Sequence, residues 1–434
     1  MFKDIKKLPI ASWMKVKQGE VKIERYWDPQ VSINTESYED IKESIRNTFD
    51  DSIKKQLISD RPLGVFLSGG MDSTAVLGSV RENRKDKIKT FSVGFKDSTD
   101  EEKFNSDFNL ARETSKHYNT DHIELMISAN DIKDNLSSIV HHLDEPNSNP
   151  TAGAIFLLSQ LTKKEVAVVL GGDGGDELFG GYPRYYYSAL ISFYQNQPNV
   201  IQKLGSTFLS IAGNKSALDK LSLPANEKRV LSFLAQKQNL LSRAIQTDKL
   251  SPQASQLFME DRFFSQDAGD ADFENKFMDT DRQSWLVDES LMRTDKMTMA
   301  FGLEARVPIL DKRLVELAKS IPSKHKLNIF KSTPNSFQGK TIWRDAIDSY
   351  LPNHVKNQKK RGWFTPMAKW IRTDLKDLVS DTLSENNLNS EYFNTKEVQK
   401  ILDDHITKKQ YNLSIIWAIF MWQLWYDQYI KNSK

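Results

Sequence analysis

Four short segments in the first half of the chain are either continuously apolar or alternate between apolar and polar residues, and both patterns are typical of β-strands. Lys89 to Phe95 alternates, whereas Leu63 to Leu67 is an apolar run. Between these segments apolar residues recur every three or four positions, as on the buried face of a helix. The predicted strands are residues 63–67, 89–95, 121–126 and 165–170, and the predicted helices are 72–83, 106–118, 129–142 and 152–162.

This order of elements predicts the fold class. Apolar strands separated by helices are typical of an α/β protein with a doubly wound parallel sheet, which binds ligands at the carboxyl ends of its strands. After about residue 180 the strand-like alternation disappears and helical periodicity dominates. We therefore expect a mostly helical region to follow the sheet.

Two features precede the sheet. Residues 13–17 and 21–27 alternate on either side of Gln18-Gly19, which predicts a hairpin. Ser37, followed by Asp40 three residues later, is typical of a helix start. The expected organisation is a hairpin and junction segment at 1–34, an α/β core at 35–185 and a mainly helical region at 186–434.

The strand at 63–67 runs into a turn that carries candidate chemistry. Ser68, Gly69, Gly70, Asp72 and Ser73 lie between this strand and a predicted helix. Two glycines let backbone N–H groups approach an anion, and the helix N-terminus favours negative charge. The two hydroxyls can donate further hydrogen bonds, while the carboxylate could hold Mg²⁺. The segment resembles the pyrophosphatase loop of ATP enzymes that adenylate a substrate, and it lacks the lysine and spacing of a P-loop.

A second glycine-rich loop follows the strand that ends at Leu170. It runs from Gly171 to Tyr182 and includes Asp173 and Asp176. A calcium loop would need alternating oxygen ligands over about a dozen residues, but this segment becomes apolar at Leu178. Its position at a strand end favours the nucleotide site, where Asp72 and Asp176 could share Mg²⁺.

Composition narrows the function classes. Lys and Arg number 60 against 58 Asp and Glu, so no basic excess favours a nucleic-acid partner. The sequence has no cysteine, which excludes disulfides and a cysteine nucleophile and is typical of cytoplasmic proteins. No apolar signal segment follows Met1, and the longest apolar run, Ile415 to Trp422, is too short to cross a membrane.

Taken together, the motifs resemble the C-terminal synthetase domain of glutamine-dependent asparagine synthetases, an adenine nucleotide α-hydrolase-like fold. The likeness extends over essentially the whole chain. Besides the two glycine-rich loops, the matching segments are Lys7 to Pro9, Arg25 to Pro29, Phe91 to Phe95, Asp144 to Pro146, Asp295 to Ala300, Leu303 to Asp311 and Lys360 to Pro366.

The resemblance assigns roles to individual residues. Leu67 and Val93 would contact the adenosine of ATP. Asp72 and Asp176 would hold Mg²⁺. The pyrophosphate would lie against Ser68, Gly69, Gly70 and Ser73, and the nucleotide would be lined by Gly171 and Gly172.

Two further residues would be catalytic. Asp173 matches a carboxylate implicated in formation of the intermediate, and Lys360 matches a lysine that stabilises the transition state. Without the resemblance, Lys360 belongs to a basic run with Lys356, Lys359 and Arg361, which is more typical of a solvated face. The rigid apolar segment after Arg361 favours one inward-pointing cation.

The sequence departs from the family pattern at three points. Position 171 is Gly where many relatives have Ser, and position 173 is Asp where the best-known members have Glu. The chain also has no counterpart of the glutaminase half, whose nucleophile is an N-terminal cysteine. We expect either a trimmed polypeptide or a stand-alone synthetase.

The resemblance implies an ATP-dependent amide-forming ligase. It would adenylate a small-molecule carboxylate, most simply the side chain of aspartate, release pyrophosphate, and pass the acyl group to ammonia. The alternatives are a related enzyme acting on a sugar uronate, a peptide or a β-amino acid, and an inactive binding or regulatory paralogue. We expect no nucleic-acid or membrane partner, and we include a glutaminase partner in trans and a homodimer among the expectations.

Overall fold

The computed structural model places most of the chain in one α/β arrangement. The described residues are 4–29, 32–96, 101–211, 215–234, 238–249, 272–330, 339–356, 358 and 365–431.

A five-stranded parallel sheet forms the centre of the molecule. The strands lie in the spatial order β5-β4-β3-β6-β7. β3 is therefore flanked by β4 on one side and by β6 on the other, and the chain reverses its direction of winding here. The bounds are β3 Leu63–Phe66, β4 Lys89–Phe95, β5 Asp121–Ile127, β6 Val168–Leu170 and β7 Glu304–Arg306, and a separate hairpin comprises β1 Ser12–Lys17 and β2 Glu20–Arg25.

Helices cover both faces of the sheet, because alternate strand residues point into two different cores. Val65 and Leu170 pack with α1 and α2 in one core. Val93 and Val169 pack with α4 and α5 in the other. The predicted doubly wound α/β fold is confirmed. The helices connecting the strands are α1 Tyr38–Gln56, α2 Met71–Asn83, α3 Glu101–His117, α4 Ala129–Leu143 and α5 Ala152–Thr162.

The rest of the described chain is almost entirely helical, as predicted, with one addition. β7 extends the sheet beyond β6, with Val169 opposite Ala305. The expectation that strands end near residue 180 is therefore wrong at this point. The later α-helices are Gly175–Phe179, Pro183–Gln195, Asn199–Ile211, Lys215–Leu221, Glu227–Leu234, Gln238–Ala244, Phe273–Gln283, Met292–Met299, Lys312–Ser320, Ser323–Lys326, Thr341–Ala346, Asn353–Lys356, Met367–Trp370, Lys376–Thr382, Thr395–Ile406 and Leu413–Tyr426.

Short non-α turns occur between these helices. They comprise the π-helical segments Leu286–Leu291 and Asp427–Lys431 and the 3₁₀ turns Pro308–Leu310 and Asp348–Tyr350.

The predicted hairpin and the predicted start of α1 are both present. β1 pairs antiparallel with β2, with Val16 opposite Val21. Apart from the first residue of β1, all residues of the two strands are exposed. Ser37 caps α1 by accepting a hydrogen bond from the Asp40 N–H. The three-part division at 34 and 185 remains a prediction, and β7 links its third part to the sheet.

Several aromatic residues of the helical region pack in the cores. Tyr185 and Tyr186 are buried with Phe277 in a third core, not stacked around an open site. The C-terminal helix Leu413–Tyr426 packs against α4 and buries Trp417 and Phe420 in the same core. Among the helices that the structure describes, not one combines the length and apolar character that a membrane crossing requires.

Candidate functional site

The turn after β3 is held in place by its neighbours on both sides. Leu67 continues the strand pairing, because its N–H donates to the Phe91 carbonyl over 2.9 Å. α2 then begins at Met71, with Gly70 as its N-cap. The N-terminus of this 13-residue helix therefore faces the turn, which favours an anion there.

Gly69 is the position where this turn needs glycine. Its φ is +73°, a left-handed conformation that side chains disfavour. A Cβ atom at this position would also lie 2.3 Å from the Asp107 carbonyl oxygen and 2.7 Å from Leu110 Cβ. The turn thus rests directly on the backbone of α3.

Two hydroxyls meet across the turn. Ser68 Oγ lies 3.0 Å from Ser73 Oγ, and the Ser68 N–H donates to Ser73 Oγ over 3.2 Å. Ser73 Oγ in turn donates to the Gly70 carbonyl at 3.2 Å. These contacts hold together the four residues to which the family resemblance assigns pyrophosphate binding, an assignment that stays a prediction.

The second glycine-rich loop packs against the first. The Gly171 N–H donates to the Arg306 carbonyl over 2.8 Å, so β7 fixes where β6 ends. A Cβ atom on Gly172 would lie 2.7 Å from the Ser73 nitrogen. This backbone contact has room only for glycine, and it places the helix Gly175–Phe179 beside the start of α2.

Asp72 and Asp176 converge on one cation. The Lys340 ammonium donates to Asp72 Oδ2, and it lies 2.9 Å from Asp176 Oδ1. Trp343 Nε1 donates to the other oxygen, Asp72 Oδ1, at 2.9 Å. The two acids that sequence reasoning paired are therefore within reach of a single positive charge.

Lys340 is a site residue that sequence reasoning missed. Its side chain is almost completely buried, and burial alone would lower the pKa of its ammonium. Asp176 and Asp72 outweigh that effect and raise the pKa, so Lys340 is charged at neutral pH. The only local signal is weak: a polar stretch ending at Gly339-Lys340 gives way to the apolar pair Ile342-Trp343.

The carboxylate pair also fits Mg²⁺. Oxygen ligands suit this ion, which is commonly held by one or two carboxylates together with substrate phosphates. Glycines keep the surroundings open: a Cβ atom on Gly175 would lie 2.7 Å from Asp72 Oδ1, and one on Gly181 would lie 1.8 Å from Asp176 Oδ1. Within the described residues, no group of three or more His, Cys, Asp or Glu side chains is arranged to hold a metal.

Asp173 lies close enough to both Asp72 and a second cation, Arg293, for each of them to affect its pKa. Burial raises the pKa of its carboxyl, and the nearby Arg293 opposes the rise. Arg293 itself is buried and donates to Glu289 Oε1 over 2.6 Å. A Cβ atom on Gly171 would lie 3.0 Å from Asp173 Oδ2. Glycine at 171 and aspartate at 173, the two departures from the family pattern, are therefore neighbours in space.

Glu177 joins the helix Gly175–Phe179 to the turn that follows it through a hydrogen bond with Tyr182. It is buried, and Tyr182 Oη donates to its Oε1 over 2.7 Å. Burial, with a further contribution from Asp176, raises the pKa of the Glu177 carboxyl to about 7.

The remaining predicted residues lie at strand ends or outside the described chain. Leu67 and Val93 are buried at the carboxyl ends of β3 and β4, on the side of the turn. Lys360 and its basic neighbours Lys359 and Arg361 lie outside the described residues.

Three of the matching segments make ion pairs and main-chain contacts that hold the elements around the two loops together. Lys296 donates to Asp144, and thereby joins the helix Met292–Met299 to the end of α4. Arg306 donates to the Gln56 and Ile58 carbonyls at 2.6 and 2.7 Å. These contacts fix β7 to the end of α1.

Comparison with known proteins is in keeping with this geometry. The profile of the family described as Asparagine synthase matches residues 44–427. The chain is 29% identical over 437 residues to "Asparagine synthetase [glutamine-hydrolyzing] 1" of Bacillus subtilis (strain 168), covering 99% of this chain and 66% of that relative.

Two further relatives are more distant. Over 428 residues the chain is 28% identical to "Putative asparagine synthetase [glutamine-hydrolyzing]" of Mycobacterium tuberculosis (strain ATCC 25618 / H37Rv), covering 95% of this chain and 62% of the relative. Over 408 residues it is 23% identical to "Asparagine synthetase B [glutamine-hydrolyzing]" of Escherichia coli (strain K12), covering 90% and 56%. The chain thus spans less than two thirds of the length of each of these relatives.

Proposed function

Because the chain belongs to the asparagine synthase family, we propose that it is an ATP-dependent ligase that forms an amide. The substrate carboxylate attacks the α-phosphorus of ATP, and the bond to the β-phosphate breaks, so pyrophosphate leaves and an acyl-adenylate forms. Ammonia then attacks the acyl carbon, and AMP leaves. The convergence of Asp72 and Asp176 beside the turn after β3 is the observation that carries the proposal.

The loops around this point would bind ATP. Ser68 and Ser73 would donate to the β- and γ-phosphates, together with backbone N–H groups at Gly69 and Gly70. Leu67 and Val93 would contact the adenosine from the ends of β3 and β4. At the second loop, Gly171 and Gly172 would line the nucleotide.

Asp72 and Asp176 would hold Mg²⁺. When bound, the ion would offset the charge that grows on the leaving pyrophosphate. The protein's share is to hold the two carboxylates at a fixed separation, and the Trp343 hydrogen bond to Asp72 contributes to it.

Asp173 and Lys360 would act on the reacting groups. The partly buried position of Asp173 and its raised pKa are typical of a functional carboxyl, which supports its role in formation of the intermediate. Lys360 would stabilise negative charge on the phosphate and on the tetrahedral intermediate, as the lysine at the matching position is expected to do.

Aspartate is the proposed acceptor, and ammonia the nitrogen donor. The three relatives are named as glutamine-hydrolysing, so in a longer assembly a glutaminase would supply the ammonia. A homodimer and a cytoplasmic location remain predictions.

The direct test is product analysis with a panel of carboxylates. We expect stoichiometric pyrophosphate and AMP from ATP when aspartate, Mg²⁺ and ammonium are present. A sugar uronate, a peptide and a β-amino acid, supplied in parallel, identify the alternative acceptors. Formation of ADP instead would contradict the proposal, and absence of turnover with every acceptor would favour the inactive paralogue.

The nitrogen donor can be tested in the same assay. The family's glutaminase uses a cysteine nucleophile to hydrolyse glutamine, and the sequence contains no cysteine. We expect ammonium at alkaline pH to support turnover and glutamine alone to fail. Release of glutamate from glutamine by the purified chain would contradict this.

The metal assignment is tested by removing one charge at a time. Asp72→Asn and Asp176→Asn should each raise the Mg²⁺ concentration needed for half-maximal pyrophosphate release. Asp121→Asn is the control, because Asp121 is exposed at the start of β5. Normal turnover of either site variant at limiting Mg²⁺ would contradict the assignment.

The role of Lys360 is tested against its neighbour. Lys360→Ala should lower kcat by about 10²-fold or more with little change in ATP affinity, the behaviour of a contact made in the transition state. Lys360→Arg should recover little of the lost kcat, because a planar guanidinium does not replace a compact ammonium. Lys359→Ala should be close to wild type. Equal and mild effects at 359 and 360 would place both on a solvated face.

A further inference from the structure

Lys340 lies where the proposed metal would lie. Its ammonium contacts one oxygen from each member of the carboxylate pair, Asp72 Oδ2 and Asp176 Oδ1. Only 3% of the side chain is exposed. A buried charge is costly unless it is paired, and here the pairing is with two acids at once.

The surroundings are shaped to hold this contact. Lys340 has a φ of +61°, which is uncommon for a residue with a side chain, at the N-terminus of the helix Thr341–Ala346. Gly181 leaves the space next to it, because a Cβ atom there would lie 2.3 Å from Lys340 Cε. The left-handed backbone at Lys340 is strained, and a glycine at 181 costs conformational entropy on folding. Both features place the ammonium between the acids.

Two negative charges at the meeting point of two loops would otherwise repel each other. Asp72 belongs to the first turn of α2, and Asp176 belongs to the first turn of the helix Gly175–Phe179. Without a positive charge between them, these helices would be driven apart or one acid would take up a proton. Lys340 supplies that charge from a third element.

We propose that Lys340 is the resident counter-cation of the nucleotide-free enzyme, and that it competes with the divalent metal for Asp72 and Asp176. The metal would then bind poorly alone and well with ATP, because the phosphates bring both further oxygen ligands and compensating negative charge. Lys340 is thus a positioning residue that keeps the two loops together and couples metal binding to nucleotide binding. This inference rests on the proposed metal site.

The test measures binding of Mn²⁺ alone, by the electron paramagnetic resonance signal of the free ion. Lys340→Met should bind Mn²⁺ without nucleotide about tenfold more tightly than wild type, or better, because a repelling charge is removed and two carboxylates are released. Added Mn²⁺ should also raise the melting temperature of the variant more than that of wild type. Unchanged or weaker Mn²⁺ binding would overturn the proposal.

A matched control is Lys326→Met. Among the described residues, Lys326 is buried as deeply as Lys340, and burial shifts its pKa as well. Its ammonium donates to Asn275 Oδ1 at 2.8 Å and does not contact an acid of the site. Its replacement should leave Mn²⁺ affinity unchanged. Adding Asp72→Asn to Lys340→Met should abolish the gain, and a gain that survives would mean that Mn²⁺ binds elsewhere.

The removal of a buried cation can prevent folding. Lys340→Gln, which retains a hydrogen-bond donor, is therefore measured beside Lys340→Met. Both variants are produced with Mn²⁺ in the buffer, since the metal should replace the ammonium. Failure of both to fold under these conditions would contradict the proposal.

The outcomes separate this inference from the function on which it rests. If wild type binds no Mn²⁺ even with ATP, the proposed metal site is wrong. If wild type binds Mn²⁺ with ATP but neither Lys340 variant gains affinity for Mn²⁺ alone, the metal site remains and the counter-cation role is overturned.

Discussion

Gly181 shows how closely a single residue is fitted to the site. A Cβ atom here would lie 1.8 Å from Asp176 Oδ1 and 2.3 Å from Lys340 Cε. We expect Gly181→Ala to lower the free energy of unfolding by about 1–3 kcal/mol, the usual cost of extra volume in a packed site. Urea denaturation of wild type and variant measures the difference.

Gly70 provides the comparison. The nearest atom to a Cβ there is Ser68 Oγ at 3.4 Å, and the φ of −76° suits any residue. Gly70→Ala should therefore cost less than about 1 kcal/mol, the size of a weakened helix cap. Equal losses at 70 and 181 would mean that the space beside Asp176 is not specifically reserved.

Lys326 gives the stability a defined pH dependence. Burial lowers the pKa of its ammonium to about 8. In the unfolded chain a lysine titrates near its ordinary value of about 10.4. Between pH 8 and 10.4 the unfolded state therefore binds more protons than the folded state, and stability rises with pH. This contribution of Lys326 to the free energy of unfolding is fully present above about pH 10.4 and is lost as the pH falls through 8.

The measurement compares Lys326→Met with wild type across this range. The free energy of unfolding of wild type should increase relative to the variant by more than about 1 kcal/mol between pH 8 and 10.4. Lys324→Met, which removes an exposed lysine from the same helix, corrects for the change in net charge. A difference between wild type and Lys326→Met that does not vary with pH would contradict the lowered pKa.

At the scale of elements, one carboxylate joins two helices of the third core. Asp281, on the helix Phe273–Gln283, is fully buried. Its Oδ2 accepts from Arg184 Nε at 2.8 Å and from Tyr185 Oη at 2.5 Å, both on the helix Pro183–Gln195. We expect Asp281→Ala to destabilise the protein by about 3–5 kcal/mol, because it leaves the largely buried Arg184 charge without this partner.

A second substitution separates the charge from the packing. Arg184→Leu added to Asp281→Ala should recover part of the loss in thermal denaturation, since the buried charge is then removed. If the double variant is less stable than Asp281→Ala by the full cost of a second core substitution, the two residues are not coupled.

The sequence patterns predicted β4 well, β6 in part and β7 not at all. β4 lies at the predicted 89–95, because seven residues are enough to show an alternation. β6 was predicted from 165 but begins at Val168. β7, Glu304–Arg306, is as short as β6, but its sequence Glu-Ala-Arg lacks the apolar run that marks β6. It is a strand because β6 offers it hydrogen bonds, and a local pattern does not contain that information.

At the scale of the whole molecule, the amino-terminal hairpin stands apart from the cores. Val16 is 61% exposed and Val21 60% exposed, although both are apolar. Trp27 is different, since its Nε1 donates to Glu316 Oε1 over 2.7 Å. Removing residues 1–25 should therefore change the free energy of unfolding by less than about 1 kcal/mol.

Trp27→Ala in the full chain is the contrasting variant. It removes a partly buried ring and should cost more than about 1 kcal/mol in urea denaturation. If the truncation costs as much as Trp27→Ala, the hairpin contributes to folding in a way that its exposure does not suggest.

The topology explains which site residues could be predicted. Asp72 and Asp176 each follow a strand, β3 and β6, and these two strands pair in the sheet. Parallel strands end at one edge, so the sequence was sufficient to pair the acids. Lys340 lies 268 residues after Asp72, behind a polar stretch with no periodicity. Its place depends on how the later helices pack, which no local pattern records.

The contact between Gly69 and α3 limits how the site could be reused elsewhere. The turn fits only because the Asp107 carbonyl and Leu110 leave no more than a hydrogen atom's room beside it. A designer who transplants residues 68–73 into another scaffold would have to carry a helix equivalent to Glu101–His117 in the same position. The transferable module is therefore the turn together with α2, β4 and α3, and the short motif alone would lack the helix backbone against which the turn packs.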